Sequence, residues 1–200
     1  AMLDHEYGIL TERLGPRRGG TTTFFAYCNT VRARAYSDKG GAECHGWLGI
    51  RLQTKPMGDP NDILLHVRLM DDTNLEQQRS LGALGVNLIY DAVYHRGDLK
   101  TFIESLTEDL NTGGLEVDMV KFSGPDFAHI DNREVALQLV ESSLTDAAFF
   151  TAEGEVMQAS EKLYRKPVLV LRGSFNPVTL VHLDMLSSAA TEFKKHLSDP

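Results

Sequence analysis

The feature that most restricts this fold is a change of pattern at residue 73. Before it stand three stretches of β-forming residues separated by strong turn chemistry; after it, helix-period segments alternate with short apolar ones. Thr21 to Tyr36 is rich in Thr, Phe, Tyr and Val. Trp47 to Thr54 alternates Leu48, Ile50 and Leu52 with Gly49, Arg51 and Gln53, which assigns one set to each face of a strand. Ile63 to Met70 is the third stretch. The connections Ser37-Asp38-Lys39-Gly40-Gly41 and Lys55-Pro56-Met57-Gly58-Asp59-Pro60 are rich in Gly, Pro and Asp, so an antiparallel meander is expected.

Helical spacing of Leu3, Tyr7, Leu10 and Leu14 predicts a short amphipathic helix over 3–14, ended by Gly15 to Gly20. Beyond residue 73, Thr73 or Asn74 caps a helix over 75–95 and Asp98 caps another over 99–110, stopped by Asn111-Thr112-Gly113-Gly114. Leu115 to Phe122 reads as a strand, Ser123-Gly124-Pro125 as a turn and 132–144 as a helix. A small hairpin is expected from Ala147–Thr151 and Glu155–Gln158 around Glu153-Gly154. Val168 to Leu171 reads as a buried strand and Leu180 to Leu197 as a closing helix. The fold class is therefore α/β, with α+β as the alternative: a β meander, then helices and strands forming a mixed sheet. Three regions follow: an N-terminal helix and linker (1–20), an α/β domain (21–165) and the start of a strand–turn–helix unit (166–200).

The formal net charge of −8 argues against a nucleic-acid partner, which would require a basic face, but leaves room for a small anionic ligand held by backbone N–H groups. No apolar run approaches the roughly 18–20 residues of a membrane span, and the first residues show no basic-then-apolar leader, so a cytoplasmic protein without a membrane partner is expected. Cys28, Cys44 and His45 lack paired metal-ligand spacing, so neither a metal site nor a disulfide is expected.

The most specific stretch is Lys166-Pro-Val-Leu-Val-Leu-Arg-Gly-Ser-Phe-Asn-Pro-Val-Thr-Leu-Val-His182. A glycine after an apolar strand allows a tight turn and close approach of a ligand. Thr179 is placed to begin a helix whose free N–H groups attract anions, and His182 follows one turn in. There the imidazole can donate to a phosphoryl oxygen and stabilise charge developing in phosphoryl or nucleotidyl transfer.

Gly173-Ser174-Phe175-Asn176-Pro177-Val178-Thr179-Leu180-Val181-His182-Leu183 resembles the signature of the nicotinamide and nicotinate mononucleotide adenylyltransferases, within the nucleotidylyltransferase superfamily. The resemblance implies that Gly173, Ser174, Phe175 and Asn176 line a nucleotide, and that Thr179 and His182 act on ATP phosphates in catalysis. It implies ATP with Mg²⁺ as cofactors, a mononucleotide as substrate and a place in NAD biosynthesis. The Ser/Thr-rich segment ending in arginine that completes that active site does not occur in residues 1–200, so the 200 residues alone are not expected to catalyse the transfer. The stretches GGAECHGWLGIRLQ, LGVNLIYDAVYH and EVDMVKFSGPDFAHIDNR resemble a group of longer bacterial proteins of unassigned activity that join both halves in one polypeptide.

Other stretches carry weaker signals. Lys121, Asp131 and Arg133 belong to the densest polar stretch near a strand end, where an anion can bind, although Asp131 or Asn132 also suits a helix cap. Lys39-Gly40-Gly41 is an anion-binding turn or a plain hairpin. Cys44 and His45, adjacent on a strand, point to opposite faces and form no dyad. The rival to the nucleotide reading is a non-catalytic oligomerisation or regulatory domain, for which a homodimer is the expected assembly.

Overall fold

The computed structural model describes residues 1–33, 44–163 and 165–198. They divide into two compact units, Ala1–Gln158 and Ala159–Pro200. The first is built on a four-stranded sheet of β1 (Phe25–Ala33), β2 (Cys44–Leu52), β3 (Asn61–Leu69) and β4 (Leu115–Ser123) in that spatial order. Its helices are α1 (Met2–Arg18), α2 (Asn74–Tyr94), α3 (Leu99–Leu106) and α4 (Asn132–Glu141). The class is α/β or α+β, as the residue pattern indicates. The glycine-rich turn at Lys39-Gly40-Gly41 lies outside the described residues.

Each neighbouring pair of strands is antiparallel. The partly parallel arrangement expected after residue 73 is therefore corrected. A single crossover helix returns the chain to the starting end of a strand, whereas α2 and α3 together use up that return. The Met70 N–H meets the Gly114 carbonyl at 2.8 Å, so β4 begins where β3 ends and runs back along it.

The alternation read in β2 sorts the two faces. Leu48, Ile50 and Leu52, with Ile63, Leu65 and Val67 of β3 and Val117, Val120 and Phe122 of β4, form one buried core under α2, α3 and α4. Leu81, Leu84, Leu88 and Ala92 supply the α2 stripe, and Phe102, Ile103 and Leu106 that of α3. Each fully buried Leu or Phe contributes about 1.5–3 kcal/mol. Thr73 caps α2 by accepting from the Glu76 N–H, Asp98 caps α3 from Thr101, and Asp131 caps α4 from Arg133.

Helix α1 packs on the opposite face, where Leu3 lies against Gly49. Arg51 joins Asp4 of α1 to Asp62 of β3, gripping Asp62 with two bonds of 2.7 Å. Farther along that face, Met119, Ala136 and Val156 cluster with Trp47 and Ala148. The small hairpin expected at 147–158 is reduced to one bridge, Phe150 to Val156, with Gly154 turning at φ +85°.

The second unit contains α5 (Ala159–Leu163) and α6 (Leu180–Ser198). Val168 to Leu171 is not a strand. The segment carries no strand hydrogen-bonding pattern, and Val168, Leu169 and Val170 are exposed.

Candidate functional site

The turn singled out by sequence is built at the start of α6. Thr179 precedes the helix, and its carbonyl accepts from the Leu183 N–H at 3.3 Å. His182 is the third helical residue, and its Nδ1 accepts the Thr179 backbone N–H at 3.1 Å. This is the geometry in which a Glu or Gln side chain ordinarily closes a capping box, with an imidazole in its place. The Thr179 hydroxyl lies 3.1 Å from the same nitrogen. A backbone N–H can only donate, so Nδ1 carries the lone pair and the neutral ring holds its proton on Nε2. His182 thus offers an oriented Nε2–H donor near the N-terminus of a 19-residue helix.

Phe175 stands edge-on to the His182 ring, with centroids 5.1 Å apart. Ser174, Asn176, Pro177, Val178 and Thr179 are exposed along the turn. Gly173 keeps a φ open to any residue, and a Cβ there would touch only the Phe175 ring at 3.4 Å. A Cβ at Gly173 would thus make an ordinary contact with no backbone strain. The turn brings Thr179, His182 and Phe175 together, while Gly173, Ser174 and Asn176 line its open approach.

Lys121, Asp131 and Arg133 lie in the first unit, and each already has an opposite charge beside it. Lys121 is 3.5 Å from Glu155. Asp131 accepts both the Arg133 backbone N–H at 2.9 Å and its guanidinium, through Nη2 at 2.5 Å. These bonds hold the Asp131 carboxyl down to about 2. An external anion at either base would have to displace a carboxylate.

Two further clusters carry reactive residue types that sequence reading did not single out. On β3, the His66 Nδ1 lies 2.6 Å from Asp118 Oδ1, and its ring is edge-on to Trp47 at 4.8 Å and tilted 5.4 Å from His45. A register shift between His66 and Val67 leaves Asp118 as the extra residue of β4, next to the Met119 that faces the histidine, and a shift of this kind leaves no mark on one strand's sequence. Arg68, Glu116 and Thr145 continue the polar strip, at 2.5 and 2.7 Å.

The other cluster joins α2 to α3. Asp91 Oδ1 accepts from the Ser105 hydroxyl at 2.5 Å and is 2.8 Å from His95 Nδ1. The residue types are those of a hydrolytic triad, but the geometry is not. Such a triad uses the two ring nitrogens separately, one for Asp and one for Ser, whereas here His95 Nδ1 faces both. The cluster is a structural lock.

Burial pushes the Asp91 carboxyl up from 3.8, and its Oδ2 is buried with no hydrogen-bond partner among the described residues. A group whose pKa is raised by folding contributes stability that is fully present below its unfolded value and is lost as pH rises through its folded one. Asp91→Asn is therefore expected to lose less stability than the parent as the pH is raised above about 4 in urea melts. Parallel profiles for the two proteins would refute the assignment.

Among the described residues no group of three His, Cys, Asp or Glu side chains could hold a metal ion, and no helix is long and apolar enough to cross a membrane. Comparison with family models, curated proteins and solved structures gives no match for this chain. The class of protein is thus defined by its fold, an α/β or α+β domain joined to a second, helical unit.

Proposed function

We propose that residues 173–182 bind the phosphates of ATP or a mononucleotide, as the opening turn of a nucleotidylyltransferase-like unit. The observation that carries this reading is the pairing of His182 Nδ1 with the Thr179 N–H, which leaves the proton of the neutral ring on Nε2 as a donor. In the reaction envisaged, a mononucleotide phosphate oxygen attacks the α-phosphorus of ATP. A new P–O bond forms, the bond to the β-phosphate breaks, and pyrophosphate leaves. His182 donates from Nε2 to a phosphoryl oxygen as charge builds, Thr179 fixes the ring, and the N–H groups of α6 add their partial positive charge. Mg²⁺ is a poor fit to the turn itself, which contains no carboxylate from Gly173 to His182; the ion would arrive with ATP.

Calorimetry of the chain with ATP and Mg²⁺ tests this. Losing a hydrogen bond to a charged acceptor, about 1.5–3 kcal/mol, predicts at least about tenfold weaker binding for His182→Ala. Equal affinity in the two proteins, or no binding at millimolar ATP, would sink the proposal.

A further inference from the structure

The two edges of the sheet are finished differently. On β4, the Val117 N–H donates to the Leu144 carbonyl at 3.0 Å, and Asn132 takes both the N–H and the carbonyl of Phe122, at 2.7 and 2.9 Å. A bulge and three charged residues, Glu116, Asp118 and Lys121, further unsuit that edge to pairing. On the other side stands β1, nine residues long, with no proline, a regular register to β2 and a single charged residue, Arg32. Among the described residues no strand pairs with its outer side. A long, flat, nearly uncharged edge is what proteins otherwise protect.

The surface beside this edge is apolar as well. Tyr27 of β1 packs against Gly85 of α2, while Asn87, on the other flank of that helix, donates to the Leu106 and Glu108 carbonyls at 3.1 and 3.0 Å. The α2 flank turned away from α3 therefore lies over β1. Helical spacing places Gly82, Ile89 and Val93 on that flank beyond Gly85, with Arg79 nearer the outer apex of the helix, and Val93 is 42% exposed. Phe25 and Val31 share the Tyr27 face of β1 and are each 48% exposed.

We infer that β1 and this flank of α2 form a two-fold interface with a second copy of the chain, joining the two sheets into one antiparallel sheet. A two-fold interface must be complementary to itself, and a strand with a single charged residue satisfies this where a strongly charged one would repel its copy. An axis near Asn29 pairs position 32 with position 26, an alanine, so the strand's one charge meets no like charge. With a net charge of −8 on each copy, such a dimer tightens as salt screens the repulsion, whereas a complex with a basic partner would weaken. The inference does not depend on nucleotide binding.

Sedimentation of the full chain at micromolar concentration should give twice its mass of 22.2 kDa, with tighter association at higher salt. Val31→Lys with Val93→Lys, and Val93→Lys alone, are expected to fold normally, since both sites are exposed. The double variant should weaken the dimer by at least about 100-fold and the single variant by about tenfold. Met57→Lys, at a 79% exposed position in the β2–β3 loop, should leave the dimer intact. A parent chain that stays monomeric, or a double variant that dimerises as the parent does, would overturn the inference.

Discussion

Phe122→Ala is expected to lower the unfolding free energy by about 3–5 kcal/mol, the usual cost of emptying an aromatic site in a packed core. Phe122 is 2% exposed on β4 and sits between two other rings, edge-on to Phe102 of α3 at 5.1 Å and to Phe127 at 5.3 Å. Its removal strips contacts from the sheet, from the helix layer and from the turn that leads to α4, so little of the space can close by local collapse. Equilibrium urea unfolding measures the loss. A cost of about 1 kcal/mol or less would mean that the three rings do not form one packed unit.

Gly124→Ala is expected to cost nearly as much, for a different reason. Gly124 has φ +120°, a conformation that L side chains rarely adopt, and a Cβ there would stand 2.8 Å from the Asn61 Cα. The strain costs about 1–3 kcal/mol and the clash a similar amount. Asn61 cannot simply move aside. It is fully buried, accepts the Asp126 N–H at 2.9 Å and donates to the Asp126 carboxylate at 2.8 Å, which Thr54 also meets at 2.7 Å. Gly154 provides the control. Its φ is also positive, at +85°, but a Cβ there meets only the Arg133 side chain, Cδ at 3.5 Å and Nη1 at 3.7 Å, both ordinary contacts. Gly154→Ala should therefore cost only the strain. Equal destabilisation of the two variants would contradict the clash at Asn61.

Much of this fold is legible in local chemistry. Thr73, Asp98 and Asp131 cap helices because their short side chains reach the N–H groups that a helix start leaves unbonded. Leu48, Ile50 and Leu52 reveal their shared face because strand period is two. The direction of β4 was not legible: two helices were read between β3 and β4, but periodicity does not say at which end of the sheet the second one delivers the chain. The Asp118–His66 contact depends on a bulge that arises between strands. Val168 to Leu171 shows that an apolar, β-branched run need not be a strand.

Within the candidate site, the residue types and spacing of Thr179 and His182 were visible in the sequence, but the role of the ring was not. That Nδ1 turns back to the helix start, leaving Nε2 to carry the proton of the neutral ring, follows from hydrogen bonding at the cap. The same logic separates this turn from Lys121 and Arg133, whose charges are matched by Glu155 and Asp131.

Nitrogen NMR of the histidine rings, with His182 assigned through His182→Ala, tests the nucleotide-binding proposal most directly. At neutral pH the ring should be the tautomer protonated on Nε2 with Nδ1 bare, and adding ATP with Mg²⁺ should shift the Nε2 signal while leaving Nδ1 engaged with Thr179. An Nδ1–H tautomer, or an Nε2 signal unmoved by millimolar ATP, would contradict the proposal.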